Sequence, residues 1–433
     1  MSRFHIYAPF IKNVHVDSSY AESLEVHDWE PLISYAQTTQ LLPNLVEFNG
    51  SQRDLWPCLI FLSGSTRVVK IRKGTDSFGN IPTGKILGHI ANQRPNIFEL
   101  EFHCQLDEPD GDYVEDALLQ TFAPLSAGFQ NLHYLVSSPL ILQPAALRPL
   151  ARLPNLTYLS ARAESNTLPW DSSSFNQLPS NSFPALKGLS LELETCRDMR
   201  RFWELIPLTN LERVTVSVAS TNDVEDEFVP TLCRASPNIK SLVLALPRQA
   251  GLDEGHGQIY RIPLNMFEHL ARLPLEDIFS LISAKLDFDN AWVRIAATWP
   301  ALREISCLRQ PMRLDELLHL SISLPNLCRV QCDFDLEHAV RAVGRNWQPS
   351  GDVPSCPSLR YLTITTTHLR EHASSFNYDL SDLARFFAYF WPNIRVESKE
   401  AYSGDFESDT WKYNQALFDM FQKLIRAHAQ SFE

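Results

Sequence analysis

One short pattern of apolar and polar positions recurs along this chain, and Ser236 to Leu246 states it most cleanly: Ser-Pro-Asn-Ile-Lys-Ser-Leu-Val-Leu-Ala-Leu. Counted from Pro237, apolar residues stand two, five and seven places on, at Ile239, Leu242 and Leu244. The last two are separated by the strand period, so they share one face of a short strand, and Ser241, Val243 and Ala245 take the other. A lone strand of this kind cannot bury its apolar face, and the chain supplies neighbours by repetition. Copies start at Pro9, Pro43, Pro95, Pro154, Pro184, Thr209, Pro300, Pro325 and Pro357. Weaker copies carry Val69 and Ile71, Leu132 and Leu135, and Leu275 and Ile278, and a partial one ends at Ile394 and Val396.

The copies begin roughly 21 to 36 residues apart, which matches the leucine-rich-repeat period at its short end and exceeds it where a loop is lengthened. Between them lie stretches with helical spacing: Asp28 to Leu42, Ile81 to Gln93, Val114 to Phe122, Ala145 to Leu153, Met199 to Leu205, Asp223 to Cys233, Asn265 to Leu273, Asn290 to Trp299, Arg313 to Leu324, Leu336 to Trp347 and Ser381 to Trp391. Strand and helix alternate in a doubly wound enzyme too, but there the strands are buried on both faces and read as unbroken Val, Ile and Leu. Here one face is mixed. The expectation is therefore an α/β leucine-rich-repeat solenoid, a horseshoe with a parallel concave sheet and helices on its convex side, over residues 1–400. Residues 401–433 end in the longest amphipathic pattern of the chain, Thr410 to Ala429, which reads as a capping helix or, more sharply, as a partner-binding helix. Loops rich in Ser, Asn, Gly and Pro at 171–181, 248–257 and 348–355 read as insertions.

Composition narrows the function. A formal charge of -13 argues against a general polyanion binder, because nucleic-acid affinity comes mostly from Lys and Arg on phosphates. No apolar window approaches a membrane span, and residues 1–16 lack the pattern of a signal peptide, so a soluble protein of the cytoplasm or nucleus is expected. The eight cysteines form no CxxC pair, and several fill apolar positions of the repeat, as core residues of a reducing compartment would. Cys328 and Cys332 have the spacing of half a metal site but no matching pair, and neither metal nor cofactor is expected.

Two stretches imitate catalytic or ligand motifs. Gly79-Asn-Ile-Pro-Thr-Gly-Lys85 resembles the start of a phosphate loop, yet Ile86 stands where the magnesium-binding hydroxyl is needed and Pro82 removes a backbone donor. Asp107 to Asp116 is densely acidic, without the order of a calcium loop, and reads as a solvated lead into a helix. With no GxSxG, HExxH or paired nucleophile and base, the chain reads as a non-enzyme, and a nucleotide-binding enzyme is the outlying alternative.

The strand positions that face away from the anchors remain. They carry Glu99, Glu101, Tyr134, Tyr158, Arg162, Arg213, Phe279, Glu304, Arg329 and Tyr361. Tyr, Phe and Arg are enriched at binding hot spots, so these residues are the candidates for a protein-binding concave face; large side chains that merely cover the sheet are the competing reading.

The Leu-Pro-Asn-Leu, Trp-Pro-Ala-Leu and Cys-Pro-Ser-Leu openings and the start Arg3-Phe-His-Ile-Tyr-Ala-Pro-Phe-Ile-Lys-Asn-Val resemble the repeat region of fungal F-box leucine-rich-repeat proteins. The resemblance implies a substrate-recognition surface of a ubiquitin ligase, with a helical F-box ahead of the repeats to dock a Skp-type adaptor. Here the first phrase is reached at once, with no Leu-Pro-led helical F-box before it. Two readings follow: the F-box lies outside this chain, or a stand-alone repeat protein regulates or inhibits a partner by covering its surface.

Overall fold

The computed structural model describes residues 6–16, 39–51, 60–72, 96–102, 128–162, 181–206, 208–218, 227–246, 260–344, 358–365, 380–399 and 409–432, with isolated residues between these segments. Five expected features fall outside them wholly or in large part: the helical stretches at 28–42, 81–93 and 114–122, the glycine loop at 79–85 and the acidic run at 107–116. The three expected insertions lie largely outside them as well. The chain divides into two compact units, Met1–Leu211 and Glu212–Glu433.

In the first unit, seven strands pair side by side in chain order and all in parallel: β1 (Asn13–His15), β2 (Glu47–Ser51), β3 (Val68–Arg72), β4 (Glu99–Phe102), β5 (Tyr134–Ser137), β6 (Tyr158–Ala161) and β7 (Gly188–Leu193). Two of its described helices are α1 (Pro144–Leu150) and α2 (Cys196–Leu205). Thr195 caps α2 by accepting a hydrogen bond from the Asp198 amide at 3.1 Å, which satisfies one of the orphan N–H groups of the first turn.

The second unit repeats the plan. Strands β8 (Arg213–Val218), β9 (Ser241–Ala245), β11 (Ile278–Ile282), β13 (Glu304–Met312), β14 (Arg329–Phe334), β15 (Tyr361–Thr365) and β16 (Arg395–Lys399) form one parallel sheet. Two short strands, β10 (Tyr260–Ile262) and β12 (Ala284–Leu286), form a separate parallel pair. The helices between are α3 (Phe228–Ala235), α4 (Leu264–Leu270), α5 (Ala291–Thr298), α6 (Leu314–Ser323), α7 (Leu336–Val343) and α8 (Ser381–Phe390), each overlapping a stretch whose spacing predicts it and the last four lying within it. Strand, loop, helix and next strand in recurrent order, with every pairing parallel and only the short β10 and β12 set apart from the row, is an α/β leucine-rich-repeat solenoid.

The phrase has a physical role at each position. The apolar residues are the core: Leu45, Leu100, Leu135, Leu156, Ile239, Leu242, Leu244, Leu302, Leu327 and Leu362 are all fully buried. Burying one such side chain contributes about 1.5–3 kcal/mol, and the repeats supply dozens. The asparagine just before the first buried leucine of a phrase stitches one turn to the last. Asn44 Nδ2 donates to the Pro9 carbonyl at 2.7 Å and Asn155 Nδ2 to the Gln130 carbonyl at 2.9 Å, while Asn131 Nδ2 donates to Asn96 Oδ1 at 3.2 Å.

Register is set just before most strands, where two successive amides share one carbonyl of the preceding rung. Arg67 and Val68 donate to Val46 at 2.9 and 3.1 Å, His133 and Tyr134 to Phe98 at 2.9 and 3.1 Å, and Arg360 and Tyr361 to Cys328 at 3.0 and 3.0 Å. This fork aligns the first outward residue of each strand with its neighbour.

The last helix, α9 (Asp409–Phe432), packs on α8 and β16, burying Phe418, Phe421 and Ile425. Gln422 meets β16 directly: its Oε1 accepts from the Val396 amide at 2.6 Å and its Nε2 donates to the Ile394 carbonyl at 2.9 Å. Among the described residues no helix is long and apolar enough to cross a membrane.

One expectation needs correction. Phe279 is not on the outward face; it is 0% exposed, and pairs in register with Leu242 and Ile305, both core anchors. Pro274 is followed by its buried leucine at once, at Leu275, one place earlier than in the other copies. A count from Leu275 therefore names Ile278 as an anchor and Phe279 as outward, whereas Phe279 and Leu281 are the anchors and Ile278 and Ser280 face out.

Candidate open-face binding site

Within each unit, the strands paired in the long rows present one face to the buried anchors and turn the other outward. Two outward positions per strand line up across the rungs. In the first unit the leading row runs Glu47, Val68, Glu99, Tyr134, Tyr158 and Gly188, and the second runs Asn49, Lys70, Glu101, Val136, Ser160 and Ser190.

Of the expected site residues, Glu99, Glu101, Tyr134, Tyr158 and Arg162 fall together here on three successive rungs. Tyr134 is 42% exposed, and its ring lies 5.9 Å from that of Tyr158 and 5.5 Å from that of Phe98, which stacks on His133 at 4.3 Å. Arg162 is exposed just past the end of β6, and its amide donates to the Ser137 carbonyl at 2.8 Å. Lys70, which sequence reasoning missed, stands between two carboxylates, 3.1 Å from Glu99 and 3.6 Å from Glu47. The hydrogen bond to Glu99 raises the Lys70 pKa, against a smaller opposing effect of burial. The signal was present, since Lys70 alternates with Val69 and Ile71 in a weak copy of the phrase.

In the second unit the leading row runs Arg213, Ser241, Ile278, Glu304, Arg329, Tyr361 and Arg395. The second runs Thr215, Val243, Ser280, Ser306, Gln331, Thr363 and Glu397. Glu304, Arg329 and Tyr361 come together as a chain of contacts: Arg329 lies 3.6 Å from Glu304 and 4.9 Å over the ring of Tyr361, itself 37% exposed. Arg213 is exposed on the first rung of this unit. Between β9, β11, β13 and β14 the face dips into a hollow of about 210 Å³, with Ser280 and Ser306 among its lining residues and apolar Ile278, Ile282 and Leu308 on its walls. The Ser306 hydroxyl is satisfied, 3.1 Å from Gln331 Oε1. This hollow was not foreseen from the sequence.

The buried thiols are not part of the face. Cys307 and Cys332 pair in register in the core, and burial pushes the Cys307 thiol up to about 12 and that of Cys332 well above its ordinary 9.0. Burial likewise raises the Cys233 thiol to about 12. Such thiols stay protonated and unreactive. Among the described residues no group of three metal-ligating side chains comes together.

No family model matches this chain. No curated protein matches it either. Among solved structures, the leucine-rich-repeat-containing protein LegL7 from Legionella pneumophila aligns over 96% of this chain and 97% of its own, at 10% identity and a TM-score of 0.33. The complex of Rad7 and Elc1 in yeast aligns over 78% of this chain and 81% of that one, at 14% identity and a TM-score of 0.38. The fold of this chain rests on its own strand order and register.

Proposed function

We propose that this chain is a protein-interaction scaffold that binds a partner protein on its open sheet face, with residues 401–433 as a cap. The observation that carries the reading is a pair of large outward side chains aligned in each unit, Tyr134 beside Tyr158 in the first and Arg329 beside Tyr361 in the second. A sheet face left to water favours small polar residues, whereas aromatic rings offer contact area at low entropic cost and guanidinium groups add directional contacts. In its finer form the reading makes the chain the substrate-recognition part of an F-box-type ubiquitin-ligase receptor, joined to a Skp-type adaptor only through an F-box outside these residues. No catalytic step, nucleic acid or membrane enters it.

The test is affinity purification of the tagged chain in parallel with a Tyr134→Ser/Tyr361→Ser variant. A partner recovered with the parent and lost with the variant, while the variant keeps its melting temperature, supports the scaffold reading. Identical recoveries from both overturn it. Co-purification of an adaptor and a cullin distinguishes the ligase form from a stand-alone regulator that covers its partner's surface.

A further inference from the structure

From the hollow of the second unit we infer a more specific site, which rests on the scaffold reading: it takes one large apolar side chain from an extended segment of a partner protein, and that segment carries an acidic residue four positions away. The size of the hollow selects the ligand. At about 210 Å³ it is larger than the roughly 150 Å³ that accommodates a benzene ring in an apolar cavity, and smaller than the roughly 300–1,000 Å³ of ordinary small-molecule sites. One side chain of Leu to Phe size fits; a helix or a nucleotide does not.

The lining fits the same guest. Ile278, Ile282 and Leu308 offer apolar walls; of the polar lining, Ser306 is already committed to Gln331 and Arg329 lies beside Glu304, so an entering hydrocarbon leaves only the Ser280 hydroxyl to be covered. The hollow exists because short residues, Ser280 and Ser306, occupy the second outward position on two adjacent rungs beside the longer Gln331.

Charge fixes the neighbour. The leading and second rows of this unit hold Arg213, Arg329 and Arg395 against Glu304 and Glu397, a surplus of one positive charge in three against two. Glu304 lies beside Arg329 and Glu397 pairs with Arg395 at 2.9 Å, which leaves Arg213 as the surplus cation. Arg213 stands on β8, two rungs from β11 and three from β13. With rungs about 4.8 Å apart and an offset of two residues along the strands, the hollow's centre lies about 14 Å from the Arg213 backbone, and an extended chain advances about 3.3 Å per residue with alternate side chains on one face. An acidic group four residues from the buried side chain, on the same face of the segment, therefore comes within reach of the Arg213 side chain.

The probe is a displayed library of random 12-residue peptides selected on the immobilised full chain, followed by fluorescence anisotropy with synthetic copies of the enriched sequences. Enrichment of a large apolar residue with Asp or Glu four positions away is expected. Ser306→Leu, which fills the hollow, is expected to weaken those peptides at least tenfold, and Arg213→Glu at least fivefold, with Lys423→Ala on α9 unchanged. If Ser306→Leu lowers the melting temperature sharply, the exposed Arg213→Glu carries the test alone. Enriched peptides without this pattern, binding indifferent to these substitutions, or no enrichment at all overturns the inference. The scaffold reading is judged separately, because a partner lost on Tyr134→Ser/Tyr361→Ser while the hollow variants bind normally leaves that reading standing.

Discussion

The ring of Tyr158 lies across the α-carbon of Gly188 on the next rung: a Cβ added at Gly188 would fall 2.6 Å from Tyr158 Cδ2. The absence of a side chain at Gly188 thus lets Tyr158 lean along the sheet, with its other neighbour Tyr134 5.9 Å away. Gly188→Ala is expected to turn the Tyr158 ring out and to destabilise the fold by about 1–2 kcal/mol, in the range of overpacking substitutions. A double-mutant cycle with Tyr158→Ala checks this by chemical denaturation: the alanine at 188 should cost much less once the ring is gone.

Gly128 makes a harder case. A Cβ there would stand 2.2 Å from the Ala91 Cβ and 2.7 Å from its Cα, so backbone and not a movable ring blocks it. Gly128→Ala is expected to cost about 2–3 kcal/mol, at the upper end of overpacking effects. The loss should persist in any background that alters the aromatic row, and thermal melts of the single and combined variants measure it.

The buried thiols predict an alkaline weakness. In the unfolded chain these cysteines ionise near 9.0, whereas in the folded protein Cys307 and Cys233 hold their protons to about 12. The folded state therefore binds more protons than the unfolded one between pH 9 and 12, and stability that is whole below pH 9 is lost as pH rises through that window, at up to about 1.4 kcal/mol per pH unit for each thiol. Melting temperature measured from pH 8 to 10.5 should bend downward above 9, and Cys307→Ala should bend less than the parent.

The two hydrogen bonds of Gln422 are separable. Gln422→Glu keeps the acceptor for the Val396 amide at 2.6 Å but loses the donor that meets the Ile394 carbonyl at 2.9 Å. It should cost about 1–3 kcal/mol, because a carboxylate then faces a carbonyl. Gln422→Leu removes both bonds and should release α9, seen as faster amide exchange at Val396.

The repeating phrase made the strands, their parallel order and most helices legible, because each copy places its anchors by a fixed count from its proline. Where that count slipped, at Leu275, the reading of Phe279 failed with it: one early leucine moves every later position to the opposite face on paper, while the fork of amides to Lys240 still sets the real register. Outward residues such as Glu99, Tyr134 and Tyr361 were legible for the same reason as the anchors. Their partners were not. Lys70 meets Glu99 across neighbouring strands, and the hollow depends on the small size of Ser280 and Ser306, which come from rungs that lie far apart in sequence.

Because most strands take their alignment from a two-amide fork on the strand before them, the exposed turns between helix and strand carry little of the duty of measuring distance. Foreign residues spliced into such a turn, such as a peptide tag or a fluorescent reporter, would leave the recognition rows in place, so a sensor for partner engagement can be built without redesigning the scaffold.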